Sequence, residues 1–167
     1  SILIDKGFAV RGSDVKENKM TQMLRNKGAD VVIGHDQGNI SEADVIVYSS
    51  AIDQDNVELS FAREKGMVIM KRAEALAELM KGYIGITIAG AHGKTTVTSM
   101  ISNLLHHAGL LPTTAVGGVV NSMDSNANLG EGDYFVAEVD ESDGSFLHFS
   151  PQYSVITNID TEHMDHY

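Results

Sequence analysis

The first half of the chain alternates short apolar runs with amphipathic stretches, which predicts strands and helices laid down in turn as a parallel α/β sheet. Ile2 to Gly7 reads as the end of a helix closed by glycine, and Phe8 to Asp14 as a strand followed by a polar turn. Asn18 to Asn26 has helical spacing, with Met20, Met23 and Leu24 on one face and Gly28 placed to end it. Asp30 to Gly34 is a short strand, and Ala43 to Tyr48 a buried strand that ends in Ser49-Ser50. Val57 to Lys65 is a helix stopped by Gly66, Met67 to Met70 the next strand, and Arg72 to Met80 a helix with an apolar stripe of Leu76, Leu79 and Met80.

A boundary is expected at Lys81-Gly82-Tyr83, giving domains over residues 1–82 and 83–167. Ile84 to Ala89 is a strand running straight into a glycine loop, and Val97 to His107 a helix ended by Gly109 and Pro112. Thr114 to Val120 is a strand, Ser122 to Asp133 a polar loop, and Tyr134 to Val139 and Tyr153 to Asn158 are two more strands. Met20, Met23, Met67, Met70, Met80 and Met100 are most simply core filler.

Composition narrows the function. Hydrophobic residues make up 43% of the 167, enough for a core. Lys and Arg total 12 against 23 Asp and Glu, a net charge of −11. A general nucleic-acid binder needs a basic face to neutralise phosphates, so that class is disfavoured. Nucleotide binding is not, because one lysine, backbone N–H groups and a divalent cation can hold a triphosphate locally. The chain has no cysteine, which excludes disulfide scaffolds and thiolate metal sites and permits a cytoplasmic location. No apolar run approaches the roughly 18 residues that span a bilayer. Ser1-Ile2-Leu3-Ile4-Asp5 has neither the basic start nor the cleavage site of a signal peptide. With no initiator Met and a start inside a helix end, the chain is expected to be a fragment.

The strongest chemical signal is Gly90-Ala91-His92-Gly93-Lys94-Thr95-Thr96, set between a strand and a helix. Glycines let the backbone wrap phosphate oxygens with its N–H groups turned inward, and a helix N-terminus adds favourable partial charge. Lys94 would reach the β- and γ-phosphates and the Thr95 hydroxyl would ligate Mg²⁺. The full phosphate-loop pattern has a further glycine five residues before Gly93, where this chain has Ile88, so the loop is a shortened variant. The competing reading is a glycine-rich turn with a solvated lysine.

Glu138-Val139-Asp140-Glu141-Ser142-Asp143 follows an apolar strand, where α/β sheets place ligands, and its carboxylates are candidates to hold Mg²⁺. A solvated acidic loop is the alternative. Asn158 to His166 again follows a strand, and His163 with its neighbouring acids is a candidate second metal site or phosphate-orienting group. Ser13, Asp14, His35, Ser49, Ser50 and Arg72 gather at strand ends of the first half, where they either bind a ligand or cap helices.

Taken together, Ala89 to Thr96, Gly117-Gly118-Val119-Val120-Asn121-Ser122, Val136 to Asp143, Thr157-Asn158-Ile159 and His163-Met164-Asp165 resemble the Mur ligases. Gly12-Ser13-Asp14, Ser49-Ser50-Ala51-Ile52 and Arg72-Ala73-Glu74 with Leu76 to Met80 fit the same family's UDP-binding domain, so the resemblance covers nearly the whole chain. It implies a Rossmann-like UDP-substrate-binding domain lacking its first strand and glycine-rich loop, then the start of a P-loop ATPase domain. A C-terminal amino-acid-binding domain would be absent, and the fragment alone would not turn over.

The implied reaction is ATP-dependent joining of L-alanine to the lactyl carboxylate of UDP-N-acetylmuramate through an acyl phosphate, giving ADP and phosphate, in peptidoglycan precursor synthesis. Gly90, Ala91, His92, Gly93, Lys94, Thr95 and Thr96 would bind ATP. Thr95, Glu138 and His163 would hold Mg²⁺ or Mn²⁺, with Lys94, Glu138 and His163 catalytic. Ser13, Asp14, Ser49, Ser50, Arg72, His92, Asn121, Asp140, Glu141, Ser142, Asp143 and Asn158 are implied substrate contacts.

Two positions depart from the family pattern: Ala91 stands where Thr is usual, and Glu162 where Asp is usual before His163. The alternatives within the family are a ligase that recycles a tripeptide, for which Tyr rather than Ser142 is expected, or a ligase for a later amino acid. A folylpolyglutamate synthetase shares the loop but fits residues 138–143 less well. From another class stand a silent nucleotide-binding module and a P-loop switch protein, and the Asn-Lys-x-Asp motif of the latter is missing.

Overall fold

The structure, a computed structural model, describes residues 1–120, 125–140 and 144–160. It divides into two units, Ser1–Ala75 and Leu76–Tyr167, both built from strands and helices, which alternate in the first as the apolar pattern predicts.

In the first unit the order is α1 (Ile2–Asp5), β1 (Arg11–Asp14), α2 (Lys19–Asn26), β2 (Asp30–Ile33), β3 (Val45–Tyr48), α3 (Val57–Glu64) and β4 (Val68–Lys71). β1 pairs in parallel with β2, and β3 with β4. Helix α2 starts at a reciprocal cap: the Asn18 side chain accepts the Thr21 N–H while the Thr21 hydroxyl accepts the Asn18 N–H, both at 3.0 Å. Ile46, Leu59 and Ala62 form a core between β3 and α3, with Ile40, Tyr48, Met67 and Ile69 packed around it.

Two strands differ from expectation here. β1 begins at Arg11, not Phe8, because the Phe8 N–H bonds Leu3 O at 3.0 Å and so closes α1, leaving the ring 59% exposed. The residues expected to turn, Gly12 to Asp14, are therefore ladder residues. β3 is not buried on both faces: alternation turns Ile46 inward and leaves Val45 and Val47 exposed.

The second unit is entered through α4 (Arg72–Met80) and continues with β5 (Ile84–Ala89), α5 (Lys94–His107), β6 (Thr113–Val120), β7 (Ser125–Asn128), β8 (Tyr134–Glu138) and β9 (Tyr153–Ile156). Its sheet has the order β7-β6-β8-β5-β9, parallel except for β7. Ile88, Phe135, Val136 and Ala137 are completely buried, and Tyr83 meets Phe135 edge-on at 5.5 Å. Helix α5 lays Val97, Ile101 and Leu105 on this core and buries two small polar residues, Thr98 and Ser102. The Thr114 hydroxyl donates to Ser102 Oγ at 3.0 Å, tying α5 to β6.

Three expectations are corrected in this unit. Helix α5 starts at Lys94 rather than Val97, since Gly93 at φ +84° caps it and the Val97 N–H already bonds Gly93 O. Met100 is 59% exposed and is not core, because the inward positions belong to Val97, Thr98, Ile101 and Ser102. The polar loop after β6 contains the edge strand β7, whose Ala127 lies opposite Ala115. A strand of small and polar residues at an edge is held by its backbone pairing, which composition does not reveal.

The chain leaves β5 toward β6 on one side and leaves β8 toward β9 on the other. Connections departing in opposite directions from adjacent parallel strands open a crevice at their carboxyl ends. That crevice begins at Ala89 and Glu138. Among the described residues no helix is long and apolar enough to cross a membrane.

Phe135 sits at the centre of this packing, so Phe135→Ala is expected to cost about 3–5 kcal/mol. Urea denaturation checks it, and an unchanged midpoint would contradict the central position of the ring.

Candidate functional site

The loop after β5 owes its course to two glycines in the left-handed half of backbone space. Gly90 has φ +123°, and a Cβ there would lie 2.8 Å from Asn158 O and 3.0 Å from Asn158 N. Gly93 has φ +84° and delivers the chain into α5. Lys94, the first residue of that helix, folds back so that its Nζ donates to Gly90 O at 2.7 Å. The ammonium therefore spans the loop from within, with Ala91 O at 3.5 Å. His92 and Thr96 are exposed, and Ala91 is half-buried.

Parallel pairing sets Ile88 opposite Glu138, so the acid emerges beside the loop. Thr95 Oγ1 donates to Glu138 Oε2 at 2.9 Å, and the Gly117 N–H donates to the same oxygen at 3.0 Å. A Cβ on Gly117 would stand 3.2 Å from Glu138 Oε1, so a bare backbone there lets β6 approach the carboxylate. Thr95 and Glu138 thus come together as a pair of hard oxygen donors, the chemistry that Mg²⁺ or Mn²⁺ takes.

The end of β9 joins the loop from the other side. The Asn158 side chain accepts the His92 N–H and donates to His92 O, both at 2.9 Å. The Thr157 hydroxyl donates to His92 O at 2.6 Å. Asp140 is exposed just past β8, its carbonyl accepting the Phe146 N–H. Asn121, Glu141, Ser142, Asp143 and His163 lie outside the described residues, and so does the expected third metal ligand with them. Among the described residues no group of three or more His, Asp or Glu side chains is placed to hold a metal.

In the first unit the strand ends carry a different kind of cluster. Ser13 at the end of β1 donates to Glu58 Oε2 at 2.6 Å and lies 3.0 Å from His35 Nδ1. His35 Nδ1 is also 3.2 Å from Glu58 Oε2, and the contacts close when Nδ1 carries the proton. Asn39 Nδ2 and the Asp36 N–H both donate to Glu58 Oε1, at 2.8 and 3.2 Å. Glu58 is only 8% exposed, and burial is the largest single influence on it, pushing its carboxyl up. The bonds from Ser13, Asn39 and Asp36, with the His35 charge, outweigh burial and leave it below the ordinary value of 4.5.

Asp14 is engaged locally, accepting the Lys16 N–H at 3.1 Å and the Asn18 side chain at 3.1 Å. The hydrogen bond from Lys16 is the main reason its carboxyl also sits below the usual range. Ser49 and Arg72 follow Tyr48 and Lys71, which are partners in the β3–β4 ladder, so they share one end of that sheet with Ser50. All three are exposed. Sequence reasoning missed Glu58 and Asn39, and quoted Gly117 and Thr157 in its motifs without giving them a site role. Glu58 reads in sequence as a helix first-turn acid, and only the loop packed over it reveals its burial.

Comparison with known proteins gives the same outline. Residues 1–84 match the Mur ligase family, catalytic domain, and residues 88–167 match the Mur ligase middle domain. The chain belongs to the Mur ligase family. The phosphate loop and Glu138 fall in the part that matches the family's middle domain. A UDP-N-acetylmuramate–L-alanine ligase from Anaeromyxobacter sp. (strain Fw109-5) is 52% identical over 99% of the chain. The chain spans 36% of that relative's length.

Among solved structures, the UDP-N-acetylmuramate-alanine ligase of Thermotoga maritima superimposes with a TM-score of 0.88 at 31% identity, covering 99% of the chain and 39% of that protein. The UDP-N-acetylmuramate:L-alanyl-γ-D-glutamyl-meso-diaminopimelate ligase of Neisseria meningitidis also gives 0.88, at 28% identity, over 99% of the chain and 57% of its own. The Mur ligase fold is therefore established for both units, and the α/β class with it.

Two predictions follow from this geometry. Because Glu58 binds its proton more weakly folded than unfolded, its contribution to stability is full above about pH 4.5 and is lost as the pH falls toward the folded value. Glu58→Gln should cost about 1–3 kcal/mol at neutral pH and flatten the acid side of the melting-temperature profile. A variant with the parent's full acid dependence would contradict it. If Thr95 and Glu138 hold a divalent cation, Glu138→Gln in a protein of the relatives' full length should weaken Mg²⁺ binding by roughly tenfold or more, as read from a metal titration.

Proposed function

We propose that this chain carries the ATP-binding and UDP-substrate-binding parts of a cytoplasmic ligase that joins L-alanine to the lactyl carboxylate of UDP-N-acetylmuramate. The observation that carries this reading is the meeting of Lys94, Thr95 and Glu138 at the crevice between β5 and β8. About half identity to ligases of that specificity supports the choice of substrate. The first unit would take the UDP end, using the exposed strand-end residues Ser49, Ser50 and Arg72.

The carboxylate of the muramyl lactyl group attacks the γ-phosphorus of ATP. The bond to the bridging oxygen breaks, and ADP and an acyl phosphate result. The alanine amine then adds to the acyl carbon, loses a proton, and phosphate departs as the amide forms. Both reactants of the first step are anions, so catalysis rests on neutralising charge and aligning the in-line attack. Lys94 supplies a positive charge at the phosphates. Thr95 and Glu138 are the described residues that would hold Mg²⁺, which when bound offsets further phosphate charge.

The tripeptide-recycling reaction is the second reading, favoured by the equal TM-score to the Neisseria enzyme. A protein of the relatives' full length, assayed for phosphate release with ATP and UDP-N-acetylmuramate, separates the two. Stimulation by L-alanine is expected, and stimulation by the tripeptide alone would sink the assignment. Lys94→Ala should lower kcat/KM by about 10²–10³-fold, and full activity in that variant would rule out the loop chemistry.

A further inference from the structure

Anion binding by a loop demands that its peptide N–H groups point inward and its carbonyls outward. A single flipped peptide would set a carbonyl oxygen against a phosphate oxygen. Three carbonyls at this loop, those of Ala89, Gly90 and His92, have named partners. Gly90 O accepts from Lys94 Nζ, and Ala89 O accepts the Thr157 N–H at 3.0 Å, one bond past the β5–β9 ladder. His92 O takes two donors at once, the Thr157 hydroxyl at 2.6 Å and Asn158 Nδ2 at 2.9 Å. The Asn158 carboxamide also accepts the His92 N–H, so it grips both polar groups of one residue.

We infer that Thr157 and Asn158 are positioning residues that lock the His92 peptide groups and so hold the phosphate loop in its anion-binding shape. This deepens the ATP-binding reading above and rests on it. It also gives Asn158 a different task from contacting the muramyl substrate. Gly90 is part of the same device. Its turn packs directly on the Thr157 hydroxyl and the Asn158 backbone, in space that any Cβ would fill. The clasp is made by the residues following β9, which pairs with β5 through Ile86↔Tyr153 to Ala89↔Ile156, so the sheet itself sets the clasp's height against the loop.

The pair has only one hydroxyl hydrogen to give. Thr157 Oγ1 is also 3.2 Å from Ala89 O, yet the 2.6 Å contact to His92 O is the stronger claim on that hydrogen. Thr157→Val keeps the shape and removes the donor, whereas Thr157→Ser keeps the donor.

The test uses protein of the relatives' full length and measures ATP affinity directly, by titration with a fluorescent ATP analogue competed by ATP, beside KM for each substrate and the melting temperature. Asn158→Ala is expected to weaken ATP binding about tenfold or more, with KM for UDP-N-acetylmuramate within about twofold of the parent. Thr157→Val should weaken ATP in the same way and Thr157→Ser should restore it, which decides the matter if Asn158→Ala does not fold. Unchanged ATP affinity in both Asn158→Ala and Thr157→Val would overturn the clasp. A rise confined to KM for UDP-N-acetylmuramate would overturn it too, making Asn158 a substrate contact. Failure of the parent protein to bind ATP would instead overturn the functional reading, a result distinct from either.

Discussion

The parallel pairing of β5 with β8 on one side and β9 on the other is the constraint on which the site depends. Registers Ile88↔Glu138 and Ala89↔Ile156 bring three chain segments, distant in sequence, to one line at the carboxyl edge of the sheet. Each segment then contributes what its backbone cannot supply alone. The turn after β5 offers N–H groups and Lys94, the end of β8 offers Glu138, and the residues after β9 offer Thr157 and Asn158. The hydrophobic layer of Ile86, Ile88 and Val136 under α5 fixes the register, because a slip of one residue would turn this face outward. Burial in the core and chemistry at the edge are thus the same fact seen at two positions along the strands.

The two units use buried polarity in different ways. In the second unit the Thr95–Glu138 bond joins groups at the mouth of the crevice, and Glu138 remains only half-buried. In the first, Glu58 is enclosed and every oxygen is engaged, by Ser13, His35, Asn39 and the Asp36 backbone. An enclosed carboxylate with satisfied oxygens ties β1, the segment after β2 and α3 together at the cost of its hydration. Ser13 therefore contributes to the shape of the strand end through its hydroxyl, whatever ligand that end receives.

Much of this was legible in the chain. Ile84–Ala89 and Arg72–Met80 were readable to the residue, since one is a continuous apolar run ending in glycine and the other an amphipathic run ending before Gly82. The glycine loop after β5 and the place of Glu138 at the end of β8 were readable because each follows an apolar strand. What escaped was long-range. β7 has the composition of a loop and exists through pairing with β6. Thr157 is an ordinary strand-end threonine until β9 is laid beside β5. Glu58 looks like a surface acid at a helix start, and its burial depends on a segment some twenty residues earlier, anchored by Asn39 at 2.8 Å.

A net charge of −11 does not argue against the nucleotide proposed for this chain, because total charge governs such a site little. At physiological salt the field of a surface carboxylate is screened within about 8 Å, so most of the acids do not act on the loop. Glu138 faces the Thr95 hydroxyl, where in the proposed site its partner would be a divalent metal and not the phosphate itself. The Gly90 and His92 carbonyls, whose dipoles would oppose a phosphate at contact distance, are engaged by Lys94, Thr157 and Asn158. The partial charges of these carbonyls are thus taken up by hydrogen bonds, and the formal charge of Glu138 would be offset by a bound cation in the proposed site. In the proposed site the Lys94 ammonium is then the formal positive charge that the loop brings to a triphosphate.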